Sequence, residues 1–251
     1  MDRGYVVDWD LEREIWGHGF KKVLAQGMNG DELQEKKQRS GLGIVVTEPY
    51  MNLNSMREKA MKLLLEDMRF SSVLMLYPAT LSLYHMAAKG ADSRIAKAAL
   101  EAGAGVVIDA GFSFTHVVPL FDWHPIKSAI RRIDLGGKAL TNLMKELVSF
   151  RSMNMMKETY LMDYIKDKLC FVSQNVEEDL KLAKTKKSPY RIEWFLPDGV
   201  TSTWGHIRDQ SQPRDPRDPI LVVNNERFMV PEALFSPSGM CLLAHNTLVS
   251  R

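Results

Sequence analysis

Residues 105–119 read GVVIDAGFSFTHVVP, and this stretch decides the fold class. Apolar runs on both sides of a glycine-containing turn favour two short strands that pair as a hairpin. We therefore predict a strand over 105–109, a turn over 110–113 and a return strand over 114–118. A third strand is predicted over 129–133. Because helical patterns flank this segment on both sides, the chain is predicted to be an α/β protein.

Upstream of the hairpin, helical and strand patterns alternate. Asp8 is predicted to cap a first helix whose apolar side carries Leu11, Ile15, Trp16 and Phe20. Short buried strands are predicted over 44–46 and 73–77. Between them, a helix over 55–68 is expected to turn these side chains inward: Ala60, Met61, Leu64, Leu65 and Met68.

The remaining segments are assigned by the same patterns. Residues 27–43 and 210–219 are polar or rich in proline and are predicted to be exposed loops, whereas the Ala-rich stretch 87–104 is predicted to be an insert with some helix. After the hairpin, one helix is expected to begin at Gly136–Gly137 with Leu140, Leu143, Met144 and Leu147 inward. A second is expected to carry Leu161, Ile165, Leu169 and Val172 on one face.

Composition limits the functional classes. The 251 residues carry a net charge of +2, too weak a balance to argue for nucleic acid as an obligate partner. Two cysteines cannot form a disulfide framework, so a reducing compartment is expected. The sequence shows neither an apolar run that would span a bilayer nor a signal-peptide pattern. These features predict an intracellular soluble protein.

The hairpin is also the first candidate site. An acid at the end of a strand, Asp109, can hold Mg²⁺, and Gly111 in the turn lets backbone amides approach phosphate oxygens. The same pattern is typical of an ordinary turn. Gly136–Gly137 could admit a phosphate at the following helix or simply make a tight connection. His116, next to the turn, is more typical of a structural residue than of a base.

Several further segments occur in a fixed order along the chain. They are Thr47-Glu48-Pro49 with Arg57-Glu58-Lys59, Leu81-Ser82-Leu83-Tyr84, Asp109-x-Gly111 with Thr115-His116, Ile165-Lys166-x-Lys168-Leu169-Cys170, and Asn225-Glu226-Arg227-Phe228. This ordered series resembles the actin superfamily. The resemblance implies an incomplete actin-like (ribonuclease H-like) ATPase fold that lacks the N-terminal phosphate loop and the C-terminal part.

The resemblance also implies a division of the chain. Residues 1–100 are expected to form part of subdomain 1 with the Ala-rich insert at its end, and 101–135 the hairpin region of subdomain 3. Residues 136–222 would form subdomain 4, and 223–251 would return to subdomain 3 with an atypical tail. Residues 239–251 match nothing in the superfamily, which is expected of a truncated or misjoined gene model, or of a short isoform.

Within the superfamily, three segments resemble the actin-related protein 6 family. They are residues 5–10, residues 110–116 and Ile130-Arg131-Arg132-Ile133 before Gly136-Gly137-Lys138. That family implies a non-catalytic subunit of a nuclear SWR-type chromatin-remodelling complex, which exchanges a variant histone. The implied partners are the other subunits and, indirectly, histones or the nucleosome, with no membrane and no specific DNA sequence. The implied location is the nucleus, with a cytoplasmic or cytoskeletal pool as a further expectation.

The resemblance also assigns nucleotide contacts residue by residue. It places Asp109 near the metal, Gly111 at the phosphates, Gly137 across the cleft, and Lys166 and Asp167 near the nucleoside. ATP with Mg²⁺ is expected in a full-length form and no cofactor in this chain.

Two departures from actin bear on activity. Pro78 stands where actin has its water-orienting Gln, and Phe112 replaces an acid in the hairpin. Proline has no side-chain donor or acceptor, so we expect no catalytic residues and no enzyme activity. The alternatives are an actin-type ATP-binding cytoskeletal protein and a weak ATPase.

Overall fold

A computed structural model describes residues 5–24, 40–90, 94–199, 202–209, 211 and 219–237. Most of the two predicted loops, 27–43 and 210–219, and the tail 239–251 therefore lie outside the described residues. The chain divides into two compact units. Unit 1 holds residues 1–110 and 114–133, and unit 2 holds residues 111–113 and 134–251.

Among its described residues, unit 1 combines helices with two small sheets. Its elements are α1 (Trp9–Leu24), β1 (Gly43–Thr47), α2 (Asn54–Lys62), β2 (Ser72–Leu76), α3 (Pro78–Lys89), α4 (Arg94–Glu101), β3 (Gly105–Ala110), β4 (Thr115–Phe121), β5 (His124–Pro125) and β6 (Arg131–Ile133). Strands β1 and β2 pair in parallel, and β4 pairs antiparallel with β3, β5 and β6. The predicted hairpin is confirmed, with Asp109 opposite His116 in the register.

The start of α1 follows from its capping residue. The Asp8 carboxylate accepts hydrogen bonds from the backbone N–H groups of Asp10 at 3.2 Å and Leu11 at 3.1 Å. These amides belong to the first helical turn, which has no intrahelical acceptors for them. The predicted cap is therefore confirmed.

The buried side of α1 differs from the prediction. Trp9, Trp16 and Phe20 pack against the cluster formed by Leu63, Leu64, Met68 and Phe70. Leu11 and Ile15, which were expected on the same side, are 51% and 54% exposed. Successive helical residues are rotated by about 100°, so residues 9, 16 and 20 form a row that excludes residues 11 and 15. The buried side of α1 is therefore the one that carries its aromatic residues.

The predicted helix over 55–68 is helical but not uniform. After α2, residues Leu63–Asp67 form a π-helical turn, which shifts the side chains that follow it around the axis. Leu63 and Leu64 are buried, whereas Met61 is 38% exposed and Leu65 is only half-buried. The inward set was thus wrong at Met61 and overstated at Leu65. The strands β1 and β2 are also less buried than predicted, because Val45 and Leu74 are exposed.

In the part of unit 2 that the structure describes, four helices accompany a three-stranded antiparallel sheet. Its elements are α5 (Gly137–Arg151), α6 (Thr159–Leu169), α7 (Val176–Ala183), β7 (Ile192–Phe195), β8 (His206–Ile207), β9 (Ile220–Val223) and α8 (Glu226–Glu232). Met144, Met162, Ile165 and Leu221 are fully buried in its core. Val172, predicted on the inward face of the second helix, is 55% exposed because α6 ends at Leu169.

The hairpin strands β3 and β4 belong to unit 1, together with the part of the chain that precedes them. Within this unit, β3 contacts α3. Packing units are not subdomains, so the predicted four-part division stays a prediction. In the part of the chain that the structure describes, no helix has the length and apolar character needed to cross a membrane.

Candidate functional site

The hairpin turn and the start of α5 lie together in unit 2. The Gly137 N–H donates to the Gly111 carbonyl at 3.0 Å, and the Lys138 N–H donates to the Phe112 carbonyl at 2.8 Å. A Cβ atom added at Gly137 would lie 3.7 Å from the Phe112 Cα and 3.8 Å from the Lys166 Nζ. Three of the five predicted nucleotide contacts, Gly111, Gly137 and Lys166, are therefore neighbours.

The backbone amides at the start of α5 donate hydrogen bonds to carbonyl oxygens of the chain. Besides Gly137 and Lys138, the N–H groups of Ala139 and Leu140 donate to the Gly136 carbonyl at 3.0 and 3.1 Å. The amides of Gly137, Lys138 and Ala139 are among those that a helix leaves without intrahelical acceptors, whereas the Leu140 bond is the first regular bond of the helix. In this arrangement none of them is directed at a ligand. The contacts thus favour a tight connection over a phosphate-binding helix start.

Lys166 is held by three polar side chains. Its Nζ lies 2.6 Å from Asp163 Oδ1, 3.0 Å from Thr141 Oγ1 and 3.4 Å from Asp167 Oδ1, and its side chain is only 12% exposed. The Thr141 hydroxyl also lies 2.9 Å from the Gly137 carbonyl, which joins this cluster to the start of α5. Lys166 and Asp167 were predicted. Asp163 and Thr141 were not, although their spacings, three residues before Lys166 and four after Gly137, are those of helix neighbours.

The Asp163 carboxyl group titrates below its usual range. Burial raises its pKa, but hydrogen bonds from Lys166 and Thr141 outweigh burial and lower the pKa overall. A carboxyl group with a lowered pKa in the folded state stabilises the fold above its unfolded pKa of about 3.9. This stabilisation is lost as the pH falls through the folded pKa.

The Lys166→Met variant is therefore expected to lose part of this acid dependence. The free energy of unfolding of the parent protein should fall more steeply than that of the variant as the pH drops below about 4. Urea unfolding at a series of pH values measures both curves, and Lys168→Met, which removes an exposed lysine from the same helix, is the control. If the free energy of unfolding fell equally with pH in the parent and in Lys166→Met, Lys166 would not be lowering the pKa of Asp163.

Asp109 and His116, on the two strands of the hairpin, lie in unit 1. Asp109 is half-buried at the end of β3, and its cross-strand neighbour His116 is 7% exposed. The His116 ring lies 4.7 Å from the Tyr50 ring and 6.0 Å from the Phe114 ring, measured between centroids. This aromatic setting agrees with the structural interpretation of His116.

Pro78 is the first residue of α3, where its missing N–H costs nothing. The next amide, on Ala79, donates to the Tyr50 hydroxyl at 2.8 Å. Tyr50 is 2% exposed, and burial raises its pKa to about 12. A tyrosine distant in sequence therefore serves as the cap of α3. No pattern in the sequence pointed to it.

The Tyr50→Phe variant should destabilise unit 1 by about 1–3 kcal/mol, because the buried Ala79 amide would lose its acceptor. The matched control is Tyr84→Phe, since Tyr84 is 48% exposed. Denaturant unfolding followed by circular dichroism measures both variants. Equal stability of the two would show that the Tyr50 hydroxyl does not cap α3.

A metal–nucleotide complex fits these residues incompletely. The described residues contain no group of three or more His, Cys, Asp or Glu side chains placed to hold a metal ion. Asp109 would contribute one carboxylate, while Lys166 is engaged by Asp163, Thr141 and Asp167. We therefore derive no reaction step through such a complex.

Comparison with known proteins extends over nearly the whole chain. The sequence model of the family described as Actin matches residues 1–247. The chain is 36% identical to Actin-related protein 6 of Arabidopsis thaliana, covering 96% of this chain and 59% of the relative. It is 34% identical to Actin-related protein 6 of Drosophila melanogaster, covering 96% and 58%. The chain thus spans less than two thirds of the length of these relatives, and its mixed helices and sheets form part of an actin-like α/β fold. The chain belongs to the actin family.

Proposed function

We propose that this protein is a non-catalytic, actin-related subunit of a nuclear chromatin-remodelling assembly of the SWR type, which exchanges a variant histone. The observation that carries the proposal is similarity over 96% of the chain to proteins named Actin-related protein 6 in a plant and an insect. The family supplies the role by analogy, since one fold hosts many functions. Its partners would be the other subunits and, through them, histones.

The non-catalytic part of the proposal rests on particular residues. Pro78 offers no side-chain group to orient a water molecule, and its ring begins α3. Phe112, in the hairpin turn, is 64% exposed and carries no charge. The first amides of α5 donate to backbone carbonyls. A nucleotide bound by a longer form would, on this proposal, have a structural role only.

Purification from nuclei tests the proposal. The tagged chain is expected to carry remodeller subunits and histones, identified by mass spectrometry at near-stoichiometric amounts. Actin with the same tag, purified in parallel, controls for general retention of actin-binding proteins. Recovery of the chain with cytoplasmic filaments alone would overturn the proposal in favour of a cytoskeletal protein.

A further inference from the structure

The loop that joins α7 to β7 in unit 2 combines positive charge with a serine followed by a proline. It reads Lys184-Thr185-Lys186-Lys187-Ser188-Pro189-Tyr190-Arg191. Lys186 and Lys187 are exposed, and Ser188, directly after them, is half-buried. Ser188 is therefore the point at which this charged loop meets the rest of unit 2.

The last four residues of the loop form a turn. The Arg191 N–H donates to the Ser188 carbonyl at 3.3 Å, with Pro189 as the second residue of the turn. Proline suits this position because its ring fixes the backbone angle that the turn needs. Pro189 is exposed, and the Arg191 side chain stays 52% exposed although it lies 3.4 Å from Glu193. The turn thus presents a proline next to the serine and a cation three residues after it.

The Ser188 hydroxyl connects the loop to the segment after β9. It donates to Asn224 Oδ1 at 2.6 Å and accepts from the Tyr190 N–H at 3.2 Å. Asn224 is itself held in place, since its Nδ2 donates to the Ala183 carbonyl at 2.9 Å and its N–H donates to Glu226 Oε2 at 2.8 Å. The Ser188 hydroxyl must leave Asn224 before it can react with anything else.

A serine followed by proline is the acceptor pattern of one class of protein kinase. Proline has no backbone N–H, so a kinase pocket without an acceptor at that position accepts proline and leaves the N–H of any other residue unsatisfied. A cation three residues after the serine can pair with an anionic group of the kinase. The sequence contains two serine–proline pairs, Ser188-Pro189 and Ser236-Pro237. The first has Arg191 at the third position after the serine, whereas the second has Gly239.

We propose that Ser188 is a phosphorylation site for a proline-directed serine kinase, and that its hydrogen bond to Asn224 slows the modification. The Ser188 Oγ attacks the γ-phosphorus of ATP, and the bond from that phosphorus to the β,γ-bridging oxygen breaks as the new bond forms. ADP leaves with the electron pair, and the hydroxyl proton passes to a carboxylate of the kinase. The inference does not rest on the proposed subunit role, which could fail without affecting it.

The modification would change the contacts of the loop. A phosphorylated serine has no hydroxyl proton to donate to Asn224 Oδ1, so the connection to the segment after β9 is lost. The phosphate group carries a charge of about −1.5 to −2 at pH 7, and the exposed Lys186 and Lys187 next to it can pair with this charge. Phosphorylation therefore replaces a contact within unit 2 by charge pairs inside the loop.

The test incubates the 251-residue chain with ATP and a purified cyclin-dependent kinase, and mass spectrometry measures the phosphate at each serine. Ser188 is expected to be labelled at least about tenfold faster than Ser236, because the charge-assisted contact of Arg191 has no counterpart there. Arg191→Gln should slow labelling of Ser188 by about tenfold or more for the same reason. The control is Lys184→Gln, which removes an exposed cation on the other side of the serine and should label Ser188 as the parent does.

The Asn224→Ala variant tests the part played by the hydrogen bond. Its Ser188 should be labelled about two- to tenfold faster than in the parent, which is the factor expected for one hydrogen bond. The rate at Ser236 in the same molecule separates this local effect from general unfolding. Equal labelling of Ser188 and Ser236 in the parent, or no labelling of Ser188, would overturn the proposal. An Asn224→Ala variant whose Ser188 rate does not rise relative to Ser236 would overturn it as well.

Discussion

ATP turnover by the 251-residue chain is expected to lie at least about 10²-fold below that of actin assayed in parallel. Phosphoryl transfer in sites of this kind depends on positioning and electrostatics, since the protein does little covalent chemistry. Loss of one positioned donor typically costs about 10²–10³ in rate. Pro78 lacks the group that orients water in actin, and Phe112 lacks the acid of the actin hairpin.

Release of labelled phosphate at saturating ATP measures this turnover, and equilibrium binding of labelled ATP measures occupancy separately. Asp109→Ala is the control, because Asp109 is the residue that the actin resemblance places nearest the metal. We expect the same background rate for the parent and this variant. Steady turnover by the parent that disappears in Asp109→Ala would show that the chain is an ATPase.

The Cys170 thiol is expected to react with alkylating reagents roughly 10³-fold more slowly than free cysteine at pH 8. Burial raises its pKa to about 12, although the charges of Lys166 and Arg227 act in the opposite direction. The reactive species is the thiolate, and a pKa of about 12 leaves a thiolate fraction of about 10⁻⁴ at pH 8, against about 0.2 for free cysteine. Sγ of Cys170 lies 3.9 Å from Sδ of Met144, inside the unit 2 packing.

The measurement uses a Cys241→Ser variant, so that Cys170 is the single thiol. Iodoacetamide labelling followed by mass spectrometry gives the rate in the native protein, and the same reaction in guanidinium chloride gives the rate of the exposed thiol. A native rate within tenfold of the denatured rate would contradict the raised pKa of Cys170, because a thiol with an ordinary pKa reacts largely as free cysteine does.

The sequence predicted those features that depend on residues close to each other in the chain. The Asp8 cap and the turn over 110–113 each act within a few residues, and both predictions are confirmed. The pairing of the two hairpin strands was also predicted, because a short turn brings consecutive strands side by side.

Other features depend on contacts between distant segments, which a single sequence does not display. The capping of Ala79 by Tyr50 joins residues 29 positions apart. Leu11 and Ile15 were placed inward by hydrophobicity alone, whereas the buried row of α1 was chosen by aromatic packing against the segment 63–70. The exposure of Met61 and the burial of Leu63 were not predicted, and no sequence pattern marked the π-helical turn after α2.

The nucleotide contacts implied by the resemblance stay predictions. Gly111, Gly137 and Lys166 are neighbours in unit 2, and Asp167 lies beside Lys166. Their actual partners, Asp163 and Thr141, were missed because neither belongs to the residues carried over by resemblance. The engagement of the α5 amides could not be predicted either, since it depends on how the turn carbonyls are oriented.

The most direct test of the proposed role is histone-variant exchange by a remodelling assembly from which this protein has been depleted. We expect exchange to fall on depletion and to recover fully on addition of either the parent protein or Asp109→Ala, because the proposed role needs no turnover. Recovery with the parent but not with Asp109→Ala would contradict a non-catalytic role. Exchange that is unchanged by depletion would contradict the role altogether.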